Sequence, residues 1–329
     1  MPFVKKIFSI LLRISISVVI LFVLFRQVDG KAMLKIIAGA DKPLLLVSLA
    51  MIFVNYILCL FRWDMLLRAA ELGIPFKRVL TSFCGGIFFN LFLPSTIGGD
   101  FMRSIDLAAH TRKPKEIVAT VFLDRLSGYI GMVILTLLAV GFGWQLIQDR
   151  SVLTCVIILT GVLTVALLVL FNNFFYTKVN KLLGHRAGRV REIIRDIHQE
   201  IYIFRNHKAM IWKNLAMSFL VQLTTPVQFY LIALALGVKI NIMYFFVFVP
   251  VISAITLLPI SIGGLGLRDA TTIYFFAKAG VLKDISFAMS LISFLFIIII
   301  GAVGGIVYVF TVHNRRVQPT QPSAIPPRQ

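Results

Sequence analysis

Acidic residues are scarce: 14 Asp and Glu stand against 33 Lys and Arg, and charged side chains of both signs make up only 14% of the 329 residues. With 59% apolar residues and a mean hydropathy of +0.92, such a chain is not a soluble globular protein, which could not hide that much apolar surface. Cysteine is nearly missing. Cys59, Cys84 and Cys155 lie within apolar runs and lack ligand spacing, so they imply neither a disulfide framework nor a thiolate metal centre. No Gly-x-x-x-x-Gly-Lys-Ser/Thr loop occurs, which excludes ATP hydrolysis by that machinery, and no His-Glu-x-x-His pair or other metal cluster appears. His110, His185, His198, His207 and His313 are scattered outside the apolar runs, and no nucleophile has a base in reach. The sequence therefore reads as non-enzymatic, with no catalytic residue, no cofactor and no metal.

What is present is apolar sequence in spanning lengths. Runs near the ~20 residues that cross a bilayer cover 7–25, 44–61, 117–142, 152–171, 211–236 and 285–310. The first follows Lys5 and Lys6 as a signal peptide would, but Arg26, Gln27, Val28 and Asp29 stand where a small-residue cleavage site is needed. It is expected to be a span. The formal charge of +19 gathers in particular loops, as the positive-inside rule requires, and no aromatic-interleaved basic module accompanies it, so no nucleic-acid partner is expected.

Two further apolar stretches, 79–97 and 242–262, run into a motif that the chain states twice. Leu-Pro-Ser-Thr-Ile-Gly-Gly-Asp-Phe-Met-Arg occupies 93–103, and Leu-Pro-Ile-Ser-Ile-Gly-Gly-Leu-Gly-Leu-Arg occupies 258–268. Leu93/Leu258, Pro94/Pro259, Ile97/Ile262, Gly98/Gly263, Gly99/Gly264 and Arg103/Arg268 coincide. Proline and paired glycines break helices, and such breaks survive at membrane depth only inside protein or along a wet cavity. Matching breaks in two halves of a chain point to a transporter's binding site. Each stretch is read as a re-entrant helical hairpin, returning over about 100–109 and 265–279.

Loop charges orient these elements. Segment 143–151 holds only Asp149 and Arg150 and is placed outside, whereas 173–210 carries eight Lys and Arg against three acids and is placed in the cytoplasm. Both termini then fall in the cytoplasm. The first hairpin opens toward the cytoplasm and the second toward the outside. The fold class is thus an all-α multi-pass membrane protein, six full spans plus two oppositely oriented re-entrant hairpins in an inverted repeat. One transmembrane domain fills 1–329. Its first half is 5–172 with the re-entrant motif at 79–109, and its second half is 211–312 with the motif at 242–279. The connector 173–210 reads as an amphipathic helix on the cytoplasmic leaflet, because Ile193, Ile194, Ile197, Ile201 and Phe204 recur at helical spacing. An ordinary connecting helix fits as well. The Pro- and Gln-rich end, 313–329, reads as a disordered cytoplasmic tail.

Charge inside a membrane is costly and so marks the candidate site. Arg103 and Arg268 stand four residues past the second glycine of each motif. Asp100, Asp106 and Asp269 lie close by, and Asp124–Arg125 enters the next span. A functional reading makes this an anion cradle. Gly98, Gly99, Gly263 and Gly264 let backbone approach a ligand, Asn90 lines the approach, and arginine offers a planar fork to phosphate oxygens. The aspartates orient the arginines or meet a cationic part of the substrate. A plainer reading has Asp100–Arg103 and Asp124–Arg125 neutralise one another. Arg13, Arg62 and Asp64 fall near span ends, where snorkelling accounts for them. Gln222, Thr224, Thr225, Pro226 and Gln228 form a polar patch that either bonds between helices or lines a cavity with Ser253 and Thr256.

Asn90-Leu-Phe-Leu-Pro-Ser-Thr-Ile-Gly-Gly-Asp100 with Arg103, the Asp124-Arg125 pair, and Pro259-Ile-Ser-Ile-Gly-Gly-Leu-Gly-Leu-Arg268 resemble the transmembrane region of lysylphosphatidylglycerol synthase, a flippase-like family, over roughly residues 5–312. The resemblance implies a bacterial-type inner (plasma) membrane protein whose relatives move an aminoacylated phospholipid between leaflets. In those relatives a separate soluble domain attaches the amino acid. The sequence up to Gln329 shows none, so lysyl transfer is not expected of it.

The expected function is lipid flippase-like transport of an anionic phospholipid or a polyprenyl-phosphate-linked lipid, with Arg103 and Arg268 on phosphate. Two alternatives remain open: an accessory subunit or intramembrane enzyme of glycolipid assembly, and a transporter of a small anion. The expected partners are a phosphate-bearing lipid and the membrane, with a homo-oligomer or a lipid-modifying partner enzyme compatible with the sequence.

Overall fold

The structure is a computed structural model that describes residues 15, 18–20, 22–24, 26, 30–93, 98–111, 113–145, 149–171, 208–257, 261 and 264–317. Helices account for nearly all of these, and no strand occurs among them. In chain order the helices are α1 Gly30–Ala38, α2 Lys42–Ala69, α3 Phe76–Asn90, α4 Gly98–Thr111, α5 Pro114–Phe142, α6 Arg150–Phe171, α7 Lys208–Ala235, α8 Met243–Thr256, α9 Leu267–Lys278 and α10 Lys283–Val317. Several features expected from the sequence lie outside the described residues: most of span 7–25, the connector over 172–207, the stretch 318–329, and motif residues 94–97, 258–260 and 262–263, Gly263 among them.

Among the described residues, four helices are long and apolar enough to cross a membrane: Lys42–Ala69, Pro114–Phe142, Ala209–Ala235 and Lys283–Val312. At 1.5 Å per residue each measures about 40 Å, more than the ~30 Å hydrocarbon core. Arg150–Val165 and Met243–Thr256 are shorter apolar helices. The long helices are apolar nearly all round and keep residues such as Leu46, Val54, Ile57, Ile134 and Ile306 exposed, which suits lipid and not water. Their starts are signalled locally. Asp41 caps α2 by accepting from the Leu44 N–H at 3.1 Å, and Pro43 and Pro114 sit in the first turns of α2 and α5, where a missing N–H costs nothing.

Helix α2 runs antiparallel to α7. The Asp41 N–H donates to the Ala235 carbonyl at 2.9 Å, the Ser48 hydroxyl to the Gln228 carbonyl at 3.0 Å, and the Asn55 amide to the Val221 carbonyl at 3.1 Å. The donors and the acceptors both recur every seven residues, so they form one straight polar seam along an otherwise apolar pair.

The shorter helices pair off as two hairpins. In the first, Arg78 near the start of α3 reaches Asp106 near the end of α4 at 2.6 Å. In the second, Phe245 and Phe248 near the start of α8 pack with tilted rings on Phe276 and Phe275 near the end of α9 at 5.0 and 5.8 Å. The first hairpin opens at the end of the bundle where α2 finishes. The second opens at the opposite end, where Lys278 pairs with Asp149 at 2.7 Å.

Packing partners are exchanged between the halves. Helix α3 packs on α10 as α8 packs on α5, and α4 on α5 as α9 on α10. Glycines set the spacing of α3 against α10: a Cβ on Gly304 would lie 3.0 Å from the Cys84 carbonyl oxygen. The main apolar core, built from α8, α9, α7 and α10 around Phe245, Phe248, Phe276 and Met289, fills the second half. A smaller one around Trp63, Val79, Leu107 and Ile117 closes the first.

Candidate functional site

Three helices bring the first motif's charges together. Arg62 comes from α2, Asp100 and Arg103 from the opening turns of α4, and Asp124 and Arg125 from α5. The pairing crosses between helices and does not stay within neighbours. Asp124 accepts from Arg62 Nε at 2.7 Å and from Arg103 Nη2 at 2.9 Å, while Asp100 meets Arg103 at 3.0 Å and Arg125 Nε at 2.5 Å. Arg62, Arg103 and Asp124 are only 6%, 4% and 3% exposed. Arg62 also donates to the Ser218 hydroxyl of α7 at 3.3 Å, and the Arg103 guanidinium lies 4.4 Å from the face of fully buried Trp63. Charges so buried persist only when paired and hydrogen-bonded, and here the pairs form one chain of five residues. Arg103 Nε has no partner among the described residues.

Gly99 permits this approach. A Cβ there would overlap the Gly86 carbonyl oxygen, and one on Gly86 would sit 2.9 Å from the Gly99 oxygen, so α3 and α4 touch backbone to backbone beside Arg103. A Cβ on Gly98 would meet the Leu93 side chain instead.

The second motif builds a smaller arrangement. Arg268 donates from Nη2 to Asp269 at 3.0 Å and from Nε to the Ser290 hydroxyl at 3.0 Å, and Ser290 donates on to Asp269 at 2.5 Å. The other Asp269 oxygen accepts the Gly266 N–H at 2.9 Å and so caps α9. Asp269 is fully buried with both oxygens engaged. Arg268 lies 4.9 Å from the Phe294 ring. Gly264 and Gly266 take φ of +78° and +79°, which bends the chain into α9.

A cavity of about 240 Å³ lies at each motif. The first is lined by Arg62, Arg103, Arg125, Asp100, Asp124 and Asn90, with Gly99 and Cys59. The second is lined by Arg268, Gln228, Thr225, Ser253, Thr256 and Ser293, with Gly264. Asn55 and Tyr56 of α2 line both.

Most of the residues singled out in the sequence therefore meet in two places. Arg103, Asp100, Asp124, Arg125, Gly99 and Asn90 share the first cavity, and Arg268 and Gly264 reach the second. Asp269 and Gly98 line neither. Asp106 does not orient Arg103: it pairs with Arg78 and accepts from the Ser82 hydroxyl. Within the polar patch of α7, Thr225 and Gln228 line the cavity, whereas Gln222 donates to the Gly128 carbonyl at 3.0 Å. Arg62 corrects the sequence reading. Helix α2 continues eight residues past the apolar run that ends at Phe61, so Arg62 lies inside the bundle and does not snorkel. Its signal was the seven-residue series Asp41, Ser48, Asn55, Arg62, which continues the seam. No group of His, Cys, Asp and Glu able to hold a metal occurs among the described residues.

The lysylphosphatidylglycerol synthase transmembrane region matches residues 10–305, which contain both motifs and every residue of the two clusters. A UPF0104 membrane protein of Methanothermobacter thermautotrophicus is 25% identical over 281 residues, covering 77% of this chain and 80% of that protein. A UPF0104 membrane protein of Pyrococcus horikoshii is 21% identical over 305 residues, covering 85% and 90%. No solved structure matches. The chain belongs to the lysylphosphatidylglycerol synthase transmembrane-region family and is an integral multi-pass membrane protein.

Proposed function

We propose that this family member is a lipid flippase-like transporter that passes the head of a phosphate-bearing lipid along a polar groove while the tails stay in the bilayer. One observation carries the reading: each repeated motif backs a cavity with an arginine, and the two cavities share Asn55 and Tyr56 as a common wall. A groove that joins two such cavities through mid-bundle is what a crossing headgroup requires, and guanidinium forks match phosphate oxygens.

Membrane placement follows from the same elements. Helices α3, α4, α8 and α9 have 15, 14, 14 and 12 residues, about 18–23 Å, too short to cross. The two hairpins are re-entrant and enter from opposite faces. The antiparallel α2–α7 seam and the exchanged packing partners support an inverted repeat about an axis in the membrane plane. The end carrying Asp149 and Lys278 faces outside. The cation-rich segment 173–210 and both termini face the cytoplasm of a plasma membrane. Gly99 and Gly264, which line the two cavities, let backbone approach the lipid. The protein moves its substrate without chemical change and needs no cofactor.

The test is leaflet exchange of tail-labelled anionic phospholipids in reconstituted vesicles. Wild type exchanges them, and Arg103→Gln slows exchange about tenfold or more, the loss of one charge-assisted contact, while the protein still elutes as a folded species. Absence of exchange for every phosphate-bearing lipid, glycerol-based or polyprenyl-linked, would overturn the proposal.

A further inference from the structure

The two cavities are chemically unlike, and the difference names a ligand. In the first, among the described residues, three guanidiniums face two carboxylates, which leaves one positive charge in surplus, and Arg103 Nε is buried without an acceptor. Arginine cannot shed its proton, so the surplus is permanent. Arg125 is the least buried of the three, its side chain 34% exposed, so the surplus is open to an incoming anion, and an anion of charge one balances it. A phosphodiester carries one charge; a phosphomonoester carries about 1.5 to 2 at neutral pH and would overfill the site.

The second cavity has no surplus. Among the described residues its single cation, Arg268, is balanced by Asp269, and no carboxylate lines the space. The remaining polar lining is hydroxyls and amides: Thr225, Ser253, Thr256, Ser293, Asn55 and Gln228. Gln228 is 3% exposed, yet its Nε2 finds no acceptor among the described residues. A buried amide donor with nothing to bond in an uncharged, hydroxyl-lined space calls for a ligand oxygen. An ammonium group finds no free carboxylate there, because both Asp269 oxygens are taken.

Resting on the lipid reading above, we infer that the cavities form one bipartite headgroup site for a lipid with a single phosphodiester and an uncharged, hydroxyl-rich headgroup. The phosphodiester sits among Arg62, Arg103 and Arg125. The hydroxyls reach past Asn55 and Tyr56 to Gln228. A phosphatidyl polyol and a polyprenyl phosphoryl sugar both satisfy this chemistry, whereas phosphatidic acid and an aminoacylated lipid do not.

Binding tests this without requiring transport. The delipidated full chain is titrated in detergent, under native mass spectrometry, with phosphatidylglycerol, phosphatidylmethanol, phosphatidic acid and lysylphosphatidylglycerol of matched tails, and with a mannosyl-phosphoryl polyprenol. Phosphatidylglycerol is expected to bind about tenfold more tightly than phosphatidic acid or the lysyl lipid, and several-fold more tightly than phosphatidylmethanol, a phosphodiester lacking the polyol. Gln228→Leu removes a side-chain amide that has no bond to lose, and is expected to erase the advantage over phosphatidylmethanol while phosphatidylmethanol itself binds as before. Ser293→Ala gives a second, smaller reading of the same gap. Whichever of phosphatidylglycerol and the polyprenyl lipid binds more tightly identifies the source. Equal binding of phosphatidylglycerol and phosphatidylmethanol, preference for the phosphomonoester or the lysyl lipid, or no binding of any lipid would overturn the inference. Selective binding without leaflet exchange would instead defeat the transport reading and leave the site standing.

Discussion

The two glycine-turn motifs share six of eleven residues, yet they build opposite kinds of site. The first recruits arginines from α2 and α5 and ends with more cations than anions. The second folds its arginine back on its neighbour Asp269 and on Ser290 and ends neutral. The backbone motif therefore fixes where an arginine stands, and the residues outside it fix what that arginine does. Asp124 and Arg62 decide the first case. Ser290 of α10, four residues before Phe294 on one helix face, decides the second.

The sharpest way to break the comparison is to remove each site's central carboxylate. Asp124 holds two arginines, so Asp124→Asn leaves two buried guanidiniums short of charge and is expected to cost about 3–5 kcal/mol. Asp269→Asn keeps one acceptor oxygen, which can serve Ser290 or the Gly266 N–H but not both, loses one ion pair, and is expected to cost about 1.5–3 kcal/mol. Thermal unfolding in detergent reads both. Adding Arg62→Gln to Asp124→Asn restores the charge balance, so the double variant is expected to lose less than the sum of the singles. An additive double variant would show that Arg62 and Asp124 do not act together, despite their 2.7 Å contact.

The glycines sharpen the comparison further, because they do different jobs. Gly99 is a contact glycine: an added methyl meets the Gly86 carbonyl, and backbone cannot swing aside. Gly99→Ala is expected to cost about 3 kcal/mol, the upper end for overpacking, and to slow exchange by parting α3 from α4. Gly264 is a conformational glycine, with φ +78° and ordinary room for a Cβ 3.5 Å from Thr256. Gly264→Ala is expected to cost about 1–2 kcal/mol, and Gly264→Asn less, since asparagine tolerates that backbone region. At position 99 asparagine should be no better than alanine. Unfolding midpoints of the four variants check the ordering.

Much of this was legible in the sequence, for identifiable reasons. Apolar runs bounded by Pro, Gly and charge gave α5, α6 and α7 to within three residues at each end, whereas α2 and α10 run on past theirs to Ala69 and Val317; the hairpin return expected near 265–279 became α9 at Leu267–Lys278. What one dimension hides is the partner. Asp124 is adjacent to Arg125 in sequence, but it bonds Arg62 and Arg103 from other helices, while Arg125 turns to Asp100. Arg62 was misread because hydropathy ends a span at the first charge, whereas a helix continues while its charges find partners inside. Of the wall common to both cavities, Asn55 carries no local signal beyond its place in the seven-residue seam and Tyr56 carries none, and their position depends on how α2 crosses both halves.

The smallest effect expected lies at the edge of the molecule and bears on how the halves are joined. Asp149 accepts from Lys278 Nζ and caps α6 through the Ser151 and Val152 N–H groups at 2.8 and 3.2 Å. The bond from Lys278, and then those backbone donors, hold the Asp149 carboxyl below the usual carboxylate range; the same bond to Asp149 raises Lys278 above the usual lysine value. A depressed carboxylate stabilises the fold above its unfolded pKa and loses that contribution as pH falls through the lower folded value. A raised lysine contributes below its unfolded pKa and loses it as pH rises through the folded one. The pair is thus at full strength at neutral pH and fails at both extremes. Asp149→Asn should lower the unfolding midpoint slightly at pH 7, keep part of the cap, and match wild type in acid, where both side chains are neutral. High salt should shrink the difference, because the pair is exposed. A difference that persists in acid would assign the stabilisation to the cap alone, and α6 would then be held by its own first turn and not by its tie to the second hairpin.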